Sequence, residues 1–381
     1  MKNVIRLFHL TLTLVALAGP LSLTIVPETV WGAPDNMTAV VYLAFSTGSN
    51  IEHIHGEKIE SNSQAVVVLI PETGTAKILE QNTSYDFAKN QLQIYAVDDR
   101  LFLLDVSNPH DGEYTDIDLY DLNVTTFERG NRKWITNQPD QDNFAIVAGK
   151  AYYRRHRYFK LLIGNRGGEF MVGDLSGSGG VDSLKLLSHD HSDNSPWHKN
   201  FSDNGNLYAV YFHEGEDQLQ ICRRDLTSGE ITKVLGDFTI TDYEQYERWA
   251  FDIDYGAAFW ARHRKSDKQV EIWRYNFTDP PELLFAQVLF DESGPDLYDL
   301  QMDVDNGHVL LFSYFCDYII LFDSKAKTSS KIELGMTSAY DGAILYQDHP
   351  DMQDTDDDSE KGGDENDDGG DDGGGGGGGG G

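Results

Sequence analysis

The sequence predicts an all-β chain assembled from repeated four-stranded sheets, and three observations carry that expectation. The first is a strand–turn–strand unit, seen in "LQICRRDLTSGEITKVLG" at 219–236: an apolar strand runs into Asp-Leu, a short polar turn with Gly follows, and a second strand leaves it. The unit recurs with Ile70, Asp121, Asp174, Asp225, Asn276 and Asp323 in the same place, at spacings of 51, 53, 51, 51 and 47 residues. Isolated matches arise by chance; a near-constant period does not. The second observation is a tight hairpin between successive units, in "QIYAVDDRLFLL", "FAIVAGKAYYR", "FSDNGNLYAVYF", "FDIDYGAAFWA" and "MDVDNGHVLLF". Such turns need positive φ, which Gly and Asn tolerate best. The third is that both alternation classes are often apolar, as in "AFWA" and "VLLF". A sheet with two apolar faces must be covered on both, and four-stranded units stacked around an axis do this: the architecture is a β-propeller.

Taken in order, the first unit has "TAVVYLAF", "QAVVVLI" and "TAKILEQ" but no clear first strand. The chain ends with "SAYDGAILYQD" at 338–348, the start of a hairpin without its other half. If this segment completes the first blade, the ring closes and an exposed sheet edge disappears. That reading predicts six blades; seven is the alternative, because "AVVYLAF" and "AILYQ" compete for one place. An open solenoid or a sandwich repeat is the other architecture, and solenoid coils have a shorter period.

On these strands and the Asp-Leu turn, residues 38–348 resemble the broad class of secreted bacterial propellers with divergent repeats, such as those related to the TolB, quinoprotein and WD-repeat groups. The Trp-Asp dipeptide of WD repeats and the regular tryptophan motifs of quinoproteins are absent. The resemblance therefore implies a fold and neither a quinone cofactor nor catalytic residues. It also implies that the loop between the second and third strands and the loop between blades open on one face, where ligands bind.

The flanks read differently. Residues 1–33 form an export signal: Lys2 and Arg6 precede an apolar Leu7–Ala18, with small residues for cleavage after Ala18 or Ala33. Gly19-Pro20 argues against an uncleaved anchor, so no membrane span is expected after cleavage. The product is expected in the periplasm, at the cell surface or outside the cell. Residues 34–350 are the propeller. Residues 351–381, acidic and then poly-Gly, have one apolar side chain, Met352, and are expected to be disordered. Asp354, Asp356 and Asp358 alternate as in a calcium loop, but Ser359 stands where that loop needs Gly. Cys222 and Cys316 are the two cysteines, either one bridge or two thiols.

The net charge is −33, of which the last 31 residues hold −11; with +1 in residues 1–33, the body carries −23. Such a chain repels nucleic acid and anionic lipid and is expected to be a monomer. Against that background "YYRRHRYFK" (152–160) gathers cations among aromatics, and "SHDHSDNSPWHKNF" (188–201), read as the following inter-blade loop, gathers histidines. Arg154, Arg155 and Arg157 suit a carboxylate or sulfate, and Tyr158 and Trp197 suit stacking on a sugar ring. The plainer reading is a solvated face that neutralises nearby acids. His189, His191 and His198 are of the type that binds zinc, although polar His-rich loops are usually just solvated. His156, His213 and His263 follow the hairpin turns of three successive units at similar distance. Five sequons begin at Asn36, Asn82, Asn123, Asn200 and Asn276, meaningful only in a glycosylating host.

No Gly-x-Ser-x-Gly, His-Glu-x-x-His or phosphate loop occurs. The expectation is an exported, non-enzymatic binding or scaffold propeller. Its partner is an anionic small molecule, a glycan or a protein, and no cofactor is required. The alternative is a secreted hydrolase or lyase acting on polysaccharide, which a cluster of facing carboxylates in a central pocket would favour.

Overall fold

The structure is a computed structural model. It describes residues 37–348 except 48–49, 83–89, 98–99, 108–115, 125–128, 136–143, 158–166, 176–184, 191–196, 214–217, 240–245, 255, 265, 290–299, 314–315 and 336–338. The signal and the tail read from the sequence lie outside the described residues. Every regular element within them is a strand.

The strands form, among the described residues, six four-stranded antiparallel sheets and one two-stranded hairpin. In chain order, sheet 2 comprises Asn90–Val97, Arg100–Ser107, Asp116–Asn123 and Arg129–Ile135. Sheet 3 comprises Ala145–Val147, Lys150–Arg157, Gly167–Asp174 and Lys185–Asp190. Sheet 4 holds Trp197–Asp203, Asn206–His213, Gln218–Arg224 and Ile231–Thr239. Sheet 5 holds Tyr246–Asp254, Ala257–Arg264, Gln269–Tyr275 and Glu282–Val288, and sheet 6 Leu300–Asp305, His308–Ser313, Tyr318–Asp323 and Thr328–Glu333.

Sheet 1 joins the two ends of the fold. Its order is Ala339–Asp348, Met37–Ser46, Gln64–Ile70, Thr75–Asn82. The last strand pairs with the first from Met37↔Asp348 to Phe45↔Ala339, with a bulge at Ala44/Phe45. The C-terminal half-hairpin thus supplies the strand missing from the first unit. Gly342 permits the close approach: a Cβ there would lie 2.9 Å from the Leu43 side chain and 3.1 Å from the Tyr42 carbonyl oxygen.

The doubly apolar strands are explained by what covers them. Val41, Leu43, Val67 and Leu69 pack against Leu310, Phe312 and Ile319 of sheet 6. From the opposite face Val40, Tyr42, Val66 and Val68 pack against Ile94, Leu101 and Leu103 of sheet 2. Clusters also join sheets 2 and 3 (Phe102 with Tyr153), 3 and 4 (Phe170 with Leu207), 4 and 5 (Val210 with Trp260), and 5 and 6 (Ile272 with Leu311). Each sheet therefore shares apolar surface with two neighbours, and the sequence of contacts returns to its start. Complete burial contributes roughly 1.5–3 kcal/mol per Val, Leu or Phe side chain.

The periodic Asp has a local cause. Asp225 Oδ1 accepts the amides of Thr227 at 2.9 Å and Ser228 at 2.8 Å. Asp323 Oδ1 accepts those of Lys325 at 2.8 Å and Ala326 at 3.0 Å, and Asn276 Oδ1 accepts that of Asp279 at 3.1 Å. The side chain closes the turn that the backbone alone would leave open. Asp225 is correspondingly held below the ordinary carboxylate range, chiefly by the Ser228 amide.

The small hairpin Glu52–Ile54 and Glu57–Ile59 straps sheet 1 to sheet 6. Ile54 and Ile59 are buried in the cluster that includes Leu334, and the His55 ring nitrogen Nε2 bonds the Glu333 carbonyl at 2.9 Å. Cys222 and Cys316 are free thiols, and burial pushes Cys222 up to about 11.

Candidate functional site: a carboxylate-lined central cavity

The first strand of each sheet pairs on one side only, so its other edge presents unpaired amides, a costly arrangement if left unmet. These edges, from all six sheets, line a central cavity of about 1140 Å³. Carboxylates on the neighbouring strand meet many of the amides. Asp203 of sheet 4 accepts the Gly256 amide of sheet 5 at 2.7 Å. Asp252 and Asp254 of sheet 5 accept those of Val304 at 2.6 Å and Gly307 at 3.1 Å in sheet 6. Asp303 and Asp305 of sheet 6 accept Ile344, at 2.7 Å, and Tyr346 on the closing strand. Asp341 of that strand accepts Ile94 of sheet 2 at 2.7 Å. In each case the carboxylate oxygen is Oδ2 and the donor belongs to the next sheet. The inner strands of sheets 2 and 3, Asn90–Val97 and Ala145–Val147, contain no Asp.

These pins were written in the strings that signalled the hairpins. Asp203, Asp254 and Asp305 each stand two residues before the turn glycines Gly205, Gly256 and Gly307. Periodicity alone marks them as turn residues, and only the ring places an amide opposite them. Loss of water perturbs Asp254, which is buried, and Asp305, which is half-buried. Desolvation, followed by the charge of Asp305, raises Asp254 to about 9; desolvation raises Asp305 to about 6 against the amide bonds of Tyr346 and Asn306.

A second charged group lies on the sheet 5 face that turns toward sheet 4. Glu271, its side chain 4% exposed, accepts Arg262 Nε at 2.6 Å, Arg264, and Trp273 Nε1 at 3.0 Å. The Arg262 guanidinium lies 5.7 Å from the ring of the cavity-lining Trp249 and 5.1 Å from that of Trp273. Burial pushes the Glu271 carboxyl up, but the bonds from Trp273 and Arg262 outweigh it, and the net result is below the ordinary range.

The residues singled out from the sequence lie on sheets 3 and 4. Arg154, Arg155 and Arg157 are on the second strand of sheet 3, opposite Phe170, Glu169 and Gly167. Glu169, 3% exposed, is in turn opposite His189 on the outer strand. Arg155, Glu169 and His189 therefore form one row across three strands. The 188–201 stretch is not one inter-blade loop: His189 belongs to Lys185–Asp190, and Trp197 and His198 begin the inner strand of sheet 4. The strands continue there because Trp197 and His198 pair in register with Phe212 and Tyr211. Tyr158 and His191 lie outside the described residues. Among the described residues no group of three or more His, Cys, Asp or Glu is arranged for a metal ion, and no helix is long and apolar enough to cross a membrane.

A cyclic series of four-stranded sheets around a cavity edged by their inner strands defines a β-propeller. No family model matches the chain, and no curated protein matches it. Among solved structures it is similar to one of a nidogen/laminin complex, with 13% identity, 81% of this chain and 99% of that chain covered, and a TM-score of 0.47. It is also similar to apo AztD from Citrobacter koseri, with 9% identity, 83% and 100% covered, and a TM-score of 0.44. A third is an oligogalacturonate lyase from Vibrio parahaemolyticus, with 11% identity, 78% and 80% covered, and a TM-score of 0.36.

Proposed function

We propose that this chain is an exported, non-catalytic binding propeller of six blades. The six four-stranded sheets support the blade count, and the charged N-terminus before an apolar run supports export. The observation that carries the non-catalytic reading is the use of the cavity carboxylates. Asp203, Asp252, Asp254, Asp303, Asp305 and Asp341 each hold an amide of the next sheet through one oxygen, which gives every one of them a structural task between the sheets. Facing carboxylates in such a cavity would otherwise favour an enzyme.

The ligand surface on this reading is sheet 3 and the start of sheet 4. Arg154, Arg155 and Arg157 outnumber the two acids, Glu169 and Asp190, in the same register rows, against a body of −23. An anionic group, on a small molecule, a glycan or a protein, is the complementary partner, with Tyr158 and Trp197 retained from the sequence as the residue types suited to stacking. His189, His191 and His198 are retained from the sequence as weak candidate zinc ligands. The test is a binding screen of acidic and neutral glycans and organic anions against the purified protein and its R154S/R155S/R157S variant. An anionic ligand that binds the parent and binds the variant at least ~10-fold more weakly supports the assignment. A folded variant with unchanged affinity overturns it.

One observation favours a polysaccharide-cleaving enzyme instead: Asp254 retains its proton near neutral pH, as a general acid must. Hydrolysis or eliminative cleavage in a polysaccharide panel, abolished in D254N while the variant still folds, would establish that reading.

A further inference from the structure

We propose that the seam between sheets 5, 6 and 1 is locked by a proton: buried Asp254 and half-buried Asp305, at the turn end of the cavity, are neutralised by protonation, not by a cation, so the ring is tightened by acid and loosened by alkali.

The geometry stacks like on like. Asp203, Asp254 and Asp305 occupy equivalent positions in three consecutive sheets, each accepting an amide from the next one. Asp254 is in the middle and is 7% exposed. The titratable groups that act on it are Asp305 from sheet 6, Asp252 from its own strand and Asp203 from sheet 4, all acids. Around Asp305 the donors are the amides of Tyr346 and Asn306. His308 stands opposite Asp305 in register and stacks on Tyr346 at 4.5 Å. Burial lowers the His308 pKa, so the imidazole resists becoming the missing positive charge. Neither Asp254 nor Asp305 forms an ion pair with a described Lys or Arg, and the described carboxylates do not converge as a metal cage.

A buried carboxylate beside half-buried ones resists ionising without a countercharge, and among the described residues a proton is the one this packing admits. The lock reaches ring closure directly, because Asp305 holds Tyr346 on the closing strand. With both pKa values above the unfolded value near 3.8, the native state holds protons that the unfolded chain releases. The stabilisation is complete below about pH 4. It declines as pH rises, through about 6 for Asp305 and about 9 for Asp254.

Thermal melts of the full chain and of D254N at pH 5.5 and 8.5 test the lock. Asn is uncharged at both pH values and its carbonyl can still accept the Gly307 amide. The parent is expected to melt at least ~5 °C higher at pH 5.5, and D254N to lose most of that difference by gaining stability at pH 8.5. A D254N variant that keeps the full difference overturns the proposal. So does recovery of the alkaline melting point on adding calcium, reversed by EDTA, because the countercharge would then be a cation. If D254N does not fold, D305N carries the test between pH 5 and 6.5, where a pH slope equal to the parent's is the overturning result.

Discussion

The carboxylate of Asp303 accepts the backbone amide of Ile344 at 2.7 Å, which ties the inner strand of sheet 6 to the strand that closes the ring. The bond joins neighbouring sheets at edges that do not pair with one another. It satisfies an amide that sheet pairing leaves open, and it does so without the parallel or antiparallel ladder that would flatten the ring.

Asp303→Ala should therefore cost ~1–3 kcal/mol, the penalty for a buried donor without an acceptor. Asp341→Ala should cost a similar amount through Ile94. Asp303→Asn should recover part of the loss, because its carbonyl can still accept. Urea unfolding of the three variants measures this, and equal losses for Ala and Asn would contradict the role assigned to the acceptor.

Closure depends on residues 339–348. Deleting them removes one of the two strands paired with Met37–Ser46 and uncovers the edge beside Val40, Val41 and Leu43, all fully buried in the ring. Aggregation or loss of the cooperative transition is expected. Deleting 351–381 should leave the melt unchanged, since that segment has almost no apolar side chain to bury. Light scattering and melting curves for both truncations distinguish them; matching behaviour would contradict closure by the C-terminal strand.

The strap is a separable contribution. Ile59→Ala should cost ~2–5 kcal/mol, because Ile59 is fully buried between sheets 1 and 6. Hydrogen exchange in Thr328–Glu333 should rise with it. No change in exchange there would mean that the hairpin does not hold sheet 6.

Glu271 should respond to pH in the sense opposite to Asp254. Its pKa is lowered in the fold, so its contribution is present above the ordinary Glu value and is lost as pH falls through the folded value. Glu271→Gln should destabilise at pH 7, by up to ~3–5 kcal/mol for a buried charge group deprived of one partner. The deficit should shrink in strong acid, and denaturant melts at pH 7 and 3 check it. A deficit independent of pH would assign Glu271 to packing alone.

The sequence by itself determined the repeat, its four-strand content and the turn chemistry. Those signals are local: Asp225 and Asp323 cap turns within three residues of themselves, and Gly205 and Gly307 supply positive φ where they stand. It also held the clue to closure, as an unpaired apolar segment at 338–348. The tertiary structure decided the rest. Asp254 and Asp305 look like ordinary hairpin acids until the ring places an amide 52 or 53 residues away, or 41 residues away, against carboxylates of this kind. Trp197 and His198 look like loop residues until Phe212 and Tyr211 draw them into a strand. Short-range hydrogen bonds leave a period in the sequence, whereas which neighbour buries a carboxylate depends on how the sheets come together. That is why burial among other acids raises Asp254 while Trp273 and two arginines lower Glu271.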